Sequence, residues 1–225
     1  MRHASFLVAA IVLLALPALA QSPVGGTSPA TTPGTQIDGI AARIGSDVVT
    51  ESEVQQLEDY QRLVDGQAQS RSVVIQELVD QWIVRAEAAN TNFPHPTTDE
   101  VAQEFQALVK QFKSLDNLQK RMTEMGLSTN SVRQMLERQL YYTRFLNYKF
   151  HAAAEVTSAQ IESYYQRDFK AQLARRGLAV PPLDKVESQI RELLTQEAIN
   201  ERAAQWLAEA KAKLKIVVQP AEGTG

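Results

Sequence analysis

The 225-residue sequence contains no cysteine. Disulfides and thiolate metal ligation are therefore excluded, as is lipid attachment at a lipoprotein cysteine. The fold must rest on apolar burial. Histidine is scarce: the three copies are His3, His95 and His151. No two of them have ligand spacing, so no metal site is expected. Glycines in the expected folded region are few and isolated (Gly39, Gly45, Gly66, Gly126, Gly177) and form no phosphate-cradling loop. With no G-x-x-x-x-G-K-[ST] stretch either, neither ATP use nor a bound cofactor is expected. No nucleophile-elbow pattern supports a Ser-His-Asp site. The carboxylate pairs Glu51/Glu53 and Glu58/Asp59 read as helix first turns and solvated faces, so no catalytic residue is nominated. Basic residues form no stripe: 23 Lys+Arg stand against 26 Asp+Glu, a net charge of −3. Nucleic acid is not an expected partner.

The N-terminus has the three parts of a secretory signal. Arg2 and His3 make a basic start, and Phe6 to Leu16 is an apolar run of eleven residues. Pro17 breaks it, and Ala18-Leu19-Ala20 offers small residues to a signal peptidase. Cleavage is expected after Ala20. A membrane-spanning helix needs roughly 20 apolar residues, and neither this run nor any later one reaches that length. The expected product is a soluble exported protein. Residues 21–36 (QSPVGGTSPATTPGTQ) read as a disordered tether, and the tail 219–225 as a similar one.

The folded domain is expected over residues 37–218, with one core or one core and a small appended lobe. Ile40 to Ile44 and Asp47 to Thr50, separated by Gly45-Ser46, predict a hairpin. Thr50 with Glu53 is a capping box that starts a helix bearing Val54, Leu57 and Leu63. A second helix runs from Ser70 or Ser72 to about Ala89, with Val74, Leu78, Trp82 and Ala86 in a buried stripe. Phe93-Pro94-His95-Pro96 must be extended. Thr97 with Glu100 opens a helix through Phe112. Ser114 to Met125 is a short helix ended by Gly126, and Ser128 caps the next. Thr157 with Gln160 caps a further short helix containing Ile161, Tyr164 and Tyr165. A loop at 175–182 then leads to a long helix over Leu183 to Lys213, whose apolar stripe includes Ile190, Ile199, Trp206 and Leu207. Lys215 to Val218 is β-prone. A lone strand is unstable, so this one is expected to pair with the N-terminal hairpin. The fold class is thus mainly α with a small sheet.

The remaining signal is apolar and aromatic. Met122, Met125 and Met135 precede Tyr141, Tyr142, Phe145 and Tyr148. Met suits adaptable binding surfaces, although core packing explains such a belt equally simply. The four aromatic residues cover too much of a helix circumference to face one core. Part of the belt is expected in a groove or at a subunit interface.

Five segments, in this order, resemble the SurA-type periplasmic chaperones. Ile40 to Val54 (IAARIGSDVVTESEV) resembles the opening of that family. Glu77 to Ile83 (ELVDQWI) is similar to its second helix, and Met125-Gly126-Leu127-Ser128 to its Gly-Leu-Ser junction. Val156 to Tyr165 (VTSAQIESYY) resembles its Tyr-Tyr segment. The long C-terminal helix and final strand are similar to its closing element. In that family, parvulin-type prolyl isomerase domains lie between the Tyr-Tyr helix and the long C-terminal helix. Here only Asp168 to Pro182 occupies that place, and no parvulin-like strands or paired histidines are present. The resemblance implies a SurA-like helical chaperone core without the isomerase. It further implies a periplasmic, ATP-independent, non-enzymatic binder of unfolded or extended polypeptides, with outer-membrane proteins in transit as clients. The belt Met122, Met125, Met135, Tyr141, Tyr142, Phe145 and Tyr148 would then be the peptide-binding surface. Two alternatives stay open: a helical assembly protein acting as an oligomer such as a homodimer, and a prolyl isomerase.

Overall fold

The structure is a computed structural model and describes residues 38–220. The export signal, the tether and the last five residues of the tail lie outside this range. Three short strands and eight α-helices are described, in the order β1 (Ile40–Ile44), β2 (Asp47–Thr50), α1 (Glu51–Asp65), α2 (Arg71–Asn90), α3 (Thr98–Gln111), α4 (Leu115–Glu124), α5 (Thr129–Phe150), α6 (Ser158–Tyr164), α7 (Lys170–Arg175), α8 (Leu183–Lys213) and β3 (Ile216–Val218). A 3-10 turn at His151–Ala153 follows α5, and a π-helical stretch at Tyr165–Phe169 joins α6 to α7. The chain is mainly helical with one small antiparallel sheet, as expected. No helix among the described residues is long and apolar enough to cross a membrane.

The sheet order is β2-β1-β3. Gly45 takes a positive φ of 60° in the two-residue turn between β1 and β2, where a residue with a Cβ would be strained. A bulge between Ile40 and Ala42 inserts Ala41 into β1, which lets Ala41 and Ala42 both be fully buried. β3 returns antiparallel along the other edge of β1, pairing Ala42 with Val218 and Ile44 with Ile216. The Gln219 N–H donates to the Ala41 carbonyl at 2.8 Å and extends that ladder. Arg71, at the start of α2, pairs with Glu51 and donates to the Gln219 carbonyl. Both ends of the domain are thereby fastened to one place.

The helix starts follow local chemistry. Thr50, Thr97 and Thr157 each accept from the third helical N–H, and Glu53, Glu100 and Gln160 reach back to complete the box. The Glu100 carboxylate also pairs with Arg144 of α5 at 2.8 Å, so this cap fastens α3 to α5. Gly66, Gly126 and Gly177 each have positive φ just beyond a helix end. The short helix expected after Thr157 instead runs on through the π-helical stretch and α7 to Arg175. No Gly or Pro interrupts it before Gly177, which explains the extension.

Burial falls into three clusters. The first joins the sheet to α1, α2, the second half of α5 and the C-terminal half of α8, through Ile44, Val74, Ile75, Val84, Phe145, Ala203 and Leu207. The second packs α3 and α4 on the first half of α5, through Phe105, Leu118, Met122 and Val132. The third is a satellite made by Ile161, Tyr165, Val186 and Ile190. Helix α8, at 31 residues, is shared by the first and third.

Burial separates the α5 aromatics. Phe145 is 1% exposed and Tyr148 is 68% exposed, although they lie on the same helix. Phe145→Ala should cost about 3–5 kcal/mol. Tyr148 has lateral ring contacts with Phe93 and Phe145, and Tyr148→Ala should cost about 1 kcal/mol or less. Urea denaturation of both variants checks the contrast.

Candidate functional site

The expected peptide-binding belt is not one surface. Met122 is buried in the second cluster, and Met125 packs partly buried against it. Met135 is 5% exposed. Tyr141 and Phe145 belong to the first cluster, with Tyr142 partly buried beside them. Only Tyr148 is open to solvent. Tyr141 is held from three sides: its hydroxyl donates to the Phe93 carbonyl at 3.3 Å, its ring contacts Phe93, and His95 stacks on it with ring centroids 4.4 Å apart. The belt residues therefore serve mainly to anchor the Phe93–Pro96 segment and to fill two cores. The physical reason is the direction of α5, whose first half faces α3 and α4 and whose second half faces α2 and α8.

An open apolar groove lies elsewhere, between α2 and α8. Trp82, Ile83 and Ala86 line one wall, and Trp206, Ala210 and Leu214 the other, around a volume of about 320 Å³. Both indoles are partly buried, so each keeps a face toward the groove. They are the only two tryptophans in the chain. Each is positioned by a polar contact. The Trp82 indole N–H donates to Asp47, at the start of β2, at 2.9 Å. The Lys149 ammonium lies 5.0 Å from the Trp206 ring centroid and pairs with Glu87 at 2.8 Å. Phe150 also packs against Trp206, with centroids 5.9 Å apart. Because Glu87 is neutralised by Lys149, the charges left on the rim are Glu209 and Lys213, which cancel.

Sequence reasoning placed Trp82 and Trp206 in buried stripes and so missed this groove. A signal was nevertheless present. In both helices a tryptophan is followed four residues later by alanine (Trp82/Ala86, Trp206/Ala210). Positions i and i+4 are neighbours on a helix face, so each pair makes a step from a large side chain to a small one. Two such steps facing each other leave a hollow.

A second hollow of about 350 Å³ lies between α6 and α8, lined by Val156, Tyr164, Leu194 and Ala198 with Glu155, Asp168, Glu197 and Glu201 around them. It is smaller in apolar character and carries no paired aromatics. Among the described residues no group of three His, Cys, Asp or Glu side chains could hold a metal ion.

Polar side chains of α1, α2 and α8 pair away from the groove. Gln61 and Gln81 donate to the two oxygens of Glu77 at 3.0 and 3.3 Å. Asp80 pairs with Lys211 of α8 at 2.8 Å. Burial pushes the Glu77 carboxyl up, outweighing the amide hydrogen bonds that lower it. Burial does the same to Asp80 against the pull of Lys211. The Tyr142 hydroxyl is pushed well up, first by burial and then by these two carboxylates.

A comparison with protein-family models finds no match for this chain, and a comparison with curated proteins finds none either.

The Glu77 shift makes a pH prediction. Its folded pKa lies above the unfolded value of 4.5, so the folded state binds more protons through that range. The stability this group contributes is full below 4.5 and is lost as pH rises through the folded pKa. The stability difference between Glu77→Gln and wild type should therefore move in favour of the variant as pH rises from about 4.5 toward neutrality. Urea melts of both proteins across that range check the sign. A flat difference would mean that Glu77 is not shifted.

Proposed function

We propose that this protein is an ATP-independent chaperone of the periplasm, and that the groove between α2 and α8 binds extended apolar segments of unfolded clients. Outer-membrane proteins in transit are the proposed client class. The observation that carries the reading is the pair of half-open indoles, Trp82 and Trp206, on opposite walls of one hollow. Large aromatic side chains give contact area at little entropic cost and accept varied apolar partners. The cancelling rim charges favour a neutral apolar segment over a charged one. The five ordered segments that resemble SurA-type chaperones support the same class, and the signal-like N-terminus supports the location.

The magnitudes fit a binder that releases without nucleotide. Burying one client side chain is worth roughly 1.5–3 kcal/mol. Several such contacts, less the cost of ordering the client, give an affinity on the order of micromolar, about −8 kcal/mol. Folding of the client can compete with binding of that strength.

The test is suppression of aggregation. An outer-membrane β-barrel protein diluted from urea should stay in solution with a several-fold excess of the protein, equally with and without ATP. The double variant Trp82→Ala/Trp206→Ala should lose most of that protection. Full protection by the double variant would refute the groove, and no protection by wild type would refute the chaperone. Sedimentation of the wild type identifies the alternative, an oligomer that hides the groove.

A further inference from the structure

The groove walls belong to two helices, α2 and α8. Ala203 and Leu207 of α8 and Val79 and Ile83 of α2 belong to the same buried cluster, with Ala210 of α8 packed against it. Two alanines let the helices approach closely but offer few atoms for dispersion contact. The one ion pair that bridges α2 and α8 among the described residues is Asp80 with Lys211, at 2.8 Å, with side chains 22% and 31% exposed. Asp80 Oδ1 is buried and its one polar partner is the Lys211 ammonium, so the contact is a single charge-assisted one. Asp80 precedes Trp82 by two positions and projects about 200° away from it on the helix. Lys211 follows Trp206 by five positions and projects about 140° away. The ion pair thus lies across the seam from the indoles.

We infer that the Asp80–Lys211 pair is an ionic clasp that sets the spacing of α2 and α8, and hence the shape of the groove between Trp82 and Trp206. The inference rests on the groove being the client site only for its effect on binding; its effect on the indoles stands independently. With the pair closed on one side of the seam, α8 is held from rolling over Trp82 on the other. Removing either charge frees α8 to rock on its alanines. Asp80 and Lys211 are positioning residues, since neither lines the groove. A partly exposed pair is screened by salt, so the groove loosens at high ionic strength even for an uncharged client.

Because the two tryptophans of the chain both line the groove, intrinsic fluorescence reads it directly. The variants are Asp80→Asn, Lys211→Met and the conservative Lys211→Arg, each checked for wild-type helix content by circular dichroism. The first two should shift tryptophan emission and increase acrylamide quenching, and Lys211→Arg should keep both wild-type values. Binding of an unfolded β-barrel fragment should weaken several-fold in the first two alone. Should Asp80→Asn fail to fold, Lys211→Met decides, because the remaining Asp80 can be protonated. Wild-type emission and quenching in Lys211→Met, or an equal shift in Lys211→Arg, would overturn the clasp. No fragment binding by wild type would refute the chaperone reading while leaving the fluorescence comparison to judge the clasp.

Discussion

β3 lies antiparallel to β1, and this pairing joins the last element of the chain to the first. The C-terminal end of α8 is placed by it. A three-residue strand contributes little by itself, but it fixes where α8 ends. Ala203 and Leu207 are then delivered to the first cluster, one side against α2 and another against α5. Arg71 reinforces the closure by reaching both Glu51 and the Gln219 carbonyl. α8 is held as well by its own packing in the first cluster, by the Asp80–Lys211 pair and by its satellite contacts with α6.

The groove is a by-product of this closure. Two helices that meet through alanines at their seam carry tryptophans beside it, and the indoles cannot be fully covered. Large side chains beside small ones leave a hollow that close packing would otherwise fill. The surrounding contacts, from Asp47 to Trp82 and from Lys149 to Trp206, hold the indoles in place. Rigid aromatic walls reduce the ordering cost of binding. That property suits a protein whose proposed work is capture of varied apolar segments without an energy source.

Local features of the fold were legible in the sequence because their chemistry is local. The capping boxes at Thr50, Thr97 and Thr157 involve residues three apart, and the Gly45 turn involves two. The β3 pairing was legible by a different route, since a lone terminal strand needs a partner and the N-terminal hairpin was the one available. The continuation of α6 into α7 was not, because a π-helical stretch carries no residue signature and the absence of Gly or Pro is a weak cue. The candidate site was the least legible part. The Met and aromatic belt is real as composition, but α5 passes between two clusters and distributes it among them. The groove needed the docking of α8 on α2, residues far apart in sequence, and only the Trp-to-Ala steps foreshadowed it.

The central claim is that extended apolar segments lie between Trp82 and Trp206. Photo-crosslinking tests it most directly, using an unfolded outer-membrane β-barrel fragment that carries a photoreactive phenylalanine analogue, with adducts mapped by mass spectrometry. Adducts should concentrate on Trp82, Ala86, Trp206, Ala210 and Leu214. Adducts concentrated on Tyr148 or on the hollow between α6 and α8, with α2 and the end of α8 unlabelled, would contradict it.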